Sequence, residues 1–113
     1  PTTSSAASDV YKRQALGIGY ILARKIQNDI EIISLGILPD YRRMGLGSIL
    51  FKEMEKCIIS GKRAKLFLEV NNNNNKAKGF YKSMGLKEIR VLEKYYKADD
   101  GYEDGLMLSK VYI

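Results

Sequence analysis

A glycine turn separates two segments of different hydrophobic periodicity in this chain. The apolar residues alternate from Ile30 to Leu38, which predicts a β-strand before the turn. After the turn, apolar residues recur at helical spacing and predict an amphipathic helix over residues 46–60, ended by Gly61. The turn has the pattern Arg-x-x-Gly-x-Gly, with its glycines at Gly45 and Gly47. The chain must therefore turn tightly between a strand and the start of a helix.

The chemistry of this turn suits an anion. Glycine has no Cβ, so an anion can approach the backbone amides of Gly45 and Gly47 closely. A helix N-terminus adds unpaired N–H groups and the positive end of the helix dipole. Arg42 and Arg43 add guanidinium donors that match phosphate. The spacing fits neither the Lys-bearing P-loop nor the dinucleotide pattern GxGxxG. A plain hairpin turn before a core helix is the alternative interpretation.

The composition narrows the class of protein. A chain of 113 residues forms one domain, and 45% hydrophobic residues can fill one modest core. No apolar run reaches the roughly 18 residues of a membrane span, and there is no secretory signal pattern. Cys57 is the only cysteine and falls on an apolar helix face, so we interpret it as a buried thiol. Because the chain has no His, we expect no metal, and we predict a reducing, cytoplasmic setting.

The formal net charge of +6 favours an anionic partner. Nucleic acid and a polyphosphate cofactor are the two candidates. The basic residues are scattered along the chain and form no dense cluster interleaved with aromatic residues. The pattern therefore favours the cofactor over direct nucleic-acid binding.

The first segment, residues 1–14, does not look native. It shows no periodicity and has no initiator Met, and it resembles translated adaptor sequence. We expect it to lie outside the fold, and an ordinary disordered tail is the alternative. The expected domain covers residues 15–113.

The remaining chain predicts a β-β-α-β-α-β-β order, which implies at least one parallel crossover in a mixed sheet. The fold class is thus α/β (α+β), a mixed β-sheet flanked by helices. The apolar run of the third predicted strand, Lys65–Val70, is typical of a strand covered on both faces. Besides the elements already named, we predict strands at Leu16–Arg24, Lys65–Val70, 87–96 and Leu106–Ile113, a helix with Ala77, Phe80, Tyr81 and Met84 on one face and ended by Gly85, and a polar turn at Asp99–Gly105.

The sequence resembles the GCN5-related N-acetyltransferase (GNAT) superfamily. The phosphate turn of that superfamily, Arg/Gln-x-x-Gly-x-Gly/Ala, is matched here by Arg42–Gly47. The second half is similar to the ribosomal-protein-alanine acetyltransferase branch, in a set of residues that is more specific than the turn. That set consists of Leu68-Glu69-Val70, Asn74, Phe80-Tyr81, Met84-Gly85-Leu86, Tyr95-Tyr96 and Glu103-Asp104-Gly105-Leu106-Met107. The family begins with a strand, two helices and a strand that are missing here, so we expect an amino-terminally truncated copy of a GNAT-like domain.

The resemblance implies acetyl-CoA as co-substrate and assigns residues to hold it. The turn would hold the pyrophosphate, mainly through backbone amides. A strand segment would pair with the pantetheine amides, and an asparagine would bind the cofactor. The implied cofactor-binding residues are Leu35, Gly36, Ile37, Arg42, Arg43, Met44, Gly45, Leu46, Gly47, Ser48 and Asn74. Gly36 suits a bulge or a close backbone approach, or is a plain interior glycine. In the run Asn71–Asn75, a register slip of one remains open.

Glu69 is the candidate general base. It is the only acidic residue between Lys65 and Val70, and a carboxylate in an apolar strand must be solvated, paired or functional. An outward-facing glutamate at a strand end is the alternative. The resemblance implies that Tyr81 is the acid that protonates the CoA thiolate, since the interval from residue 69 to residue 81 reproduces the family's. A core tyrosine is the alternative for Tyr81.

The implied reaction is acetyl transfer to an amine by direct attack, and the implied acceptor is the N-terminal alanine of a ribosomal protein. Tyr95 and Tyr96 would line the acceptor side by analogy, and ordinary strand packing is their alternative. Two other hypotheses stay open: a GNAT enzyme that acts on a small-molecule amine or an internal lysine, and an inactive fragment that binds acetyl-CoA or nucleic acid.

Overall fold

The computed structural model describes residues 8–14, 17–42, 45–58 and 61–113, with the backbone alone described for 8–14. The chain divides into two compact units. The first comprises Pro1–Leu66 with Val111–Ile113, and the second comprises Phe67–Lys110. The first unit contains the glycine turn, and the second contains Glu69 and Tyr81.

The predicted order of strands and helices is confirmed, with one strand added in front. The elements are β1 Ser8–Gln14, β2 Gly19–Ile26, β3 Asp29–Ile37, a 3-10 turn Pro39–Tyr41, α1 Leu46–Glu55, β4 Ala64–Asn71, α2 Asn75–Ser83, β5 Lys87–Ala98 and β6 Gly101–Tyr112. The strands of the first unit lie in the order β1-β2-β3-β4, and those of the second in the order β4-β6-β5. The predicted mixed sheet with two helices is the observed fold class.

Two predictions about strand positions were wrong. Residues 1–14 were expected outside the fold, whereas Ser8–Gln14 pairs antiparallel with β2 along its whole length. The segment Asp99–Gly105 was expected to be a turn, but only Asp99 and Asp100 turn and β6 begins at Gly101. In both segments polar side chains hide the alternation that marks a strand, because backbone pairing to a neighbouring strand needs no apolar residue.

A β-bulge in β3 sets which side chains of that strand face the core. The register passes from Leu22 opposite Ser34 to Ala23 opposite Ile32, so Ile33 is the extra residue. Before the bulge, Ile30 and Ile32 are buried; Ile33 is exposed, and the residues 34–37 beyond it are all partly exposed. An extra residue shifts which side chains share a face of the strand. The last residues of β3 therefore reach the glycine turn with Gly36 opposite Tyr20.

Helix α1 is shorter than predicted. Its apolar face is buried through Leu50, Phe51 and Met54, as the periodicity indicates. It ends at Glu55 instead of residue 60, because the next amides bond three residues back: that of Cys57 donates to Met54 O at 2.9 Å and that of Ile58 to Glu55 O at 3.1 Å. Bonds of this 3-10 type tighten the last turn and close the helix.

In the second unit, β4 carries Glu69 and α2 carries Tyr81. The side chains of β4 alternate between buried positions, such as Leu68 and Val70, and partly exposed ones. The expectation that both faces of this strand are covered was therefore wrong: one face is buried and Glu69 lies on the other. Helix α2 begins at an Asn74 cap and is followed by Gly85, whose φ of +100° few residues other than glycine adopt.

Candidate active site

The glycine turn has the backbone geometry of an anion site. Gly45 is the N-cap of α1 with φ +77°, a left-handed conformation that favours glycine, and its carbonyl accepts from the Ile49 amide. Among the described residues, no backbone acceptor is found for the amides of Leu46, Gly47 and Ser48. The first N–H groups of a helix have no partner within it and lie at the positive end of its dipole, so this end of α1 suits an anionic ligand.

Arg42 is anchored beside this turn. Its Nε donates to the carbonyl of Ile37 at 3.1 Å, and the side chain is exposed. Because only Nε is used by that contact, the rest of the guanidinium remains a donor surface for phosphate. Arg43 and Met44, which the sequence assigned to the cofactor, lie outside the described residues.

An open pocket of about 320 Å³ lies between the start of β2 and the end of β3. Its walls include Gly36, Ile37 and Arg42, three of the residues predicted to hold the cofactor. The full lining is Gly17, Ile18, Gly19, Tyr20, Gly36, Ile37, Leu38, Pro39 and Arg42. Leu35 also lies in β3, one residue before Gly36. The sequence therefore identified one side of this pocket and missed the side formed by β2.

The need for glycine at position 36 is explained by the ring of Tyr20. A Cβ on Gly36 would stand 2.5 Å from Tyr20 Cε1, and the Tyr20 hydroxyl is tied to Ser34 Oγ at 2.7 Å. The prediction of a bulge at Gly36 was wrong, since the bulge is at Ile33. The close approach that requires glycine here is made by a side chain.

In the second unit, Glu69 is half-buried on the partly exposed face of β4. The hydroxyl of Tyr95 donates to its Oε1 at 2.8 Å. Among the described residues, no protein group bonds to Oε2 of Glu69. One oxygen is thus held in place and the other is open to accept a proton.

Tyr81 is the buried residue of α2, with 7% of its surface exposed. Burial raises the pKa of its phenol to about 12, since the charged form would lose its hydration. Every buried side-chain nitrogen and oxygen of the described residues has a hydrogen-bond partner, and no described group bonds to the Tyr81 hydroxyl. That hydroxyl therefore reaches the surface, as a hydrogen-bond donor to a ligand requires.

The asparagine run is largely occupied by structural bonds. Asn74 Oδ1 accepts from the Ala77 amide at 3.1 Å and caps α2, which leaves only its amide nitrogen for a cofactor. Asn71 and Asn73 donate to the two oxygens of Glu103 at 2.8 and 3.1 Å. The cofactor role of Asn74 stays a prediction.

Sequence reasoning missed the structural contacts of Glu103, Asp104 and Gly105 in the second unit. Asp104 Oδ1 accepts from the Lys94 amide at 2.9 Å, and the rings of Tyr95 and Tyr96 lie against Gly105. These residues stand in the segment that was predicted to be a turn. A glycine directly before the apolar Leu106 was the available signal that a ring or backbone approaches there.

With this geometry in place, comparison with known proteins decides the family. A family model described as acetyltransferase (GNAT) matches residues 15–86, which is more than half of the chain. The chain belongs to the GNAT acetyltransferase family. The resemblance to this family that was found in the sequence is therefore confirmed, and the glycine turn belongs to a family of acetyltransferases.

The similar proteins include bacterial and plant acetyltransferases. The ribosomal protein bS18-alanine N-acetyltransferase of Escherichia coli strain K12 is 28% identical over 90 residues, which cover 80% of this chain and 61% of that protein. The chain therefore spans about three fifths of the length of this curated relative. None of the described helices is long and apolar enough to cross a membrane.

Two solved structures show the fold. That of the ribosomal-protein-S18-alanine N-acetyltransferase from Escherichia coli matches with a TM-score of 0.78 at 23% identity, over 96% of this chain and 71% of that chain. Arabidopsis thaliana Naa50, in complex with the bisubstrate analogue CoA-Ac-MVNAL, matches with a TM-score of 0.68 at 28% identity, over 84% and 66%.

Proposed function

We propose that this protein transfers an acetyl group from acetyl-CoA to the N-terminal amine of a protein. The proposed acceptor is the N-terminal alanine of a ribosomal protein. Family membership supports the acetyl transfer, and the name of the Escherichia coli relative supports the acceptor. The bisubstrate analogue bound to Naa50 joins CoA through an acetyl group to a peptide, which supports a peptide amine. A cytoplasmic location is part of this proposal.

The observation that carries the proposal is the half-buried carboxylate of Glu69, with Oε1 held by Tyr95 and Oε2 open. An amine must lose its proton before it can attack a thioester. At pH 7 this costs roughly 1.4 kcal/mol for an α-amine of pKa about 8 and roughly 4.6 kcal/mol for a lysine of pKa about 10.4. A single carboxylate, directly or through a water, is sufficient for the α-amine.

The chemistry then follows from the residues in each unit. The acceptor nitrogen forms a bond to the acetyl carbon, the C–S bond of the thioester breaks, and Glu69 takes the proton that the nitrogen loses. The turn Arg42–Ser48 would hold the pyrophosphate of acetyl-CoA through its amides and guanidinium groups. The residues Leu35–Ile37 would line the path of the pantetheine.

The raised pKa of Tyr81 sharpens its proposed role. Proton transfer from a phenol of pKa about 12 to a free thiolate, whose thiol has a pKa of about 8.5, is unfavourable by about 5 kcal/mol. Tyr81 therefore acts as a hydrogen-bond donor to the sulfur while the C–S bond breaks. The leaving thiolate is stabilised before it takes a proton from solvent.

The test is release of CoA thiol by the chain of 113 residues. The acceptors are a peptide that begins with alanine, the same peptide with a blocked N-terminus and an internal lysine, and a free polyamine. We expect release with the first peptide alone. Release only with the polyamine or only with the lysine peptide would show that the acceptor is a small-molecule amine or an internal lysine instead. Calorimetry with acetyl-CoA and with RNA completes the test, because binding of RNA without acetyl-CoA would overturn the proposal.

A further inference from the structure

Tyr95 and Tyr96 are adjacent in β5, yet both rings lie on one side of β6. A Cβ built on Gly105 would stand 3.0 Å from Tyr95 Cδ2 and 3.2 Å from Tyr96 Cε2. Successive side chains of a regular strand point to opposite faces, so two neighbours cannot both do this without an irregularity. The two rings also pack edge to face, with centroids 5.0 Å apart.

The irregularity is an enlarged β-bulge in β5. Leu92 pairs with Gly105 and Tyr96 with Glu103, so three residues of β5 face Asp104 alone. Lys94, the middle of the three, has φ +50°, a conformation that costs energy for a residue with a Cβ. Its amide donates to Asp104 Oδ1 at 2.9 Å, and this bond stabilises the bulge.

Each residue of Glu103-Asp104-Gly105 therefore stabilises one part of the arrangement. Glu103 accepts from Asn71 and Asn73, which fixes the end of β4 two residues beyond Glu69. Asp104 caps the bulge that turns Tyr95. Gly105 leaves the space through which the Tyr95 ring crosses β6 to reach Glu69.

We propose that Tyr95 is a positioning residue for Glu69, and that Glu103-Asp104-Gly105 sets its place. This inference rests on the proposed function, in which Glu69 is the base. The Tyr95 hydroxyl fixes Oε1, so that Oε2 points to the acceptor nitrogen and does not sample other rotamers. A side chain held in this way loses less entropy when the acceptor binds.

The test compares Y95F, E69Q and the double variant Y95F/E69Q, with Y102F as matched control. Tyr102 is a tyrosine of the same unit with 62% of its surface exposed. We expect Y95F to lower kcat about tenfold, the size of one hydrogen bond to a carboxylate, with KM for acetyl-CoA unchanged. In the E69Q background we expect Y95F to cause no further loss, because its effect passes through the carboxylate.

The outcomes separate the two proposals. If E69Q loses activity while Y95F matches Y102F, the positioning role is wrong and the proposed base stands. An equal loss from Y95F in both backgrounds also overturns the positioning role. If E69Q keeps full activity, the proposed function fails at its base, whatever Y95F does. Thermal melts of each variant check that the protein is folded, and Y95F removes only a hydroxyl that lies at an exposed position.

A second variant, G105A, tests whether the Tyr95 ring needs the space at Gly105 to cross β6. Its Cβ would meet Tyr95 Cδ2 at 3.0 Å and Tyr95 Cβ at 3.3 Å, so the ring must shift by a few tenths of an ångström, which disturbs its bond to Glu69. We expect a loss of kcat equal to that of Y95F, and no added loss when the two are combined. Full activity of G105A would overturn the role assigned to Gly105.

Discussion

The ring of Tyr20 lies over Gly36 so closely that a methyl group there would stand 2.5 Å from Cε1. The ring cannot swing away freely, because its hydroxyl is bonded to Ser34 at 2.7 Å. We therefore expect G36A to destabilise the protein by about 1 to 2 kcal/mol, the size of the lost hydrogen bond and the repacking. Urea unfolding measures this. The double variant G36A/Y20A should recover part of the loss, and additive losses would refute the ring contact as the cause.

Gly79 is the matched glycine with the opposite expectation. It lies within α2, its φ is not positive, and a Cβ there would meet nothing within 4 Å. Alanine costs less backbone entropy in a helix than glycine, so G79A should stabilise the protein by about 0.5 to 1 kcal/mol. The same urea series checks it. A destabilised G79A would show that the helix has a neighbour that the structure does not describe.

The carboxylate of Glu103 joins β6 to the end of β4, because it accepts hydrogen bonds from Asn71 and Asn73. In E103Q, an amide NH₂ replaces one acceptor oxygen and faces a donor, so one of these bonds is lost. We expect a cost of about 1 to 3 kcal/mol in unfolding free energy. E93Q, at an exposed position of β5, is the control and should change stability by less than about 0.5 kcal/mol. Equal effects of the two variants would contradict a structural role for Glu103.

The pH dependence of stability should report the burial of Tyr81. Its pKa rises from an ordinary 10.0 to about 12 on folding, so the native state holds the proton more tightly than the unfolded state. This contribution is complete below pH 10 and is lost as the pH rises towards 12, by about 2.7 kcal/mol in total. Y81F should remove that part of the slope between pH 10 and pH 12. An unchanged slope in Y81F would mean that the phenol is not buried.

The sequence predicted the elements whose side chains are periodic. The bulge at Ile33 was not predicted, because the apolar residues from Ile30 to Leu38 were interpreted as one unbroken alternation. Strand β1 was missed because its mostly polar sequence shows no alternation, although its backbone pairs with β2. The partners of Glu103 could not be predicted, since bonds between residues about thirty positions apart leave no local pattern. The bond from the Lys94 amide to Asp104 depends on a bulge in β5 that the sequence does not show.

The proposed catalytic residues could be named from the sequence only as a set, without their contacts. Glu69 stood out as a carboxylate in an apolar strand, whereas the tyrosine that bonds to it comes from β5. The proposed role of Tyr81 came from its interval to Glu69, and the burial that raises the pKa of its phenol depends on tertiary packing. Which glycine leaves room for which ring depends on tertiary packing.

The most direct prediction concerns Glu69 and Tyr81 together. E69Q keeps the shape of the side chain but cannot take a proton, and Y81F keeps the ring but cannot donate to the sulfur. We expect each to lower kcat at least about tenfold while the affinity for acetyl-CoA, measured by calorimetry, stays the same. Wild-type turnover in either variant would remove that residue from its role. A parallel fall in acetyl-CoA affinity would instead place the residue in cofactor binding, since a group needed only for the chemical step leaves the binding of the first substrate unchanged.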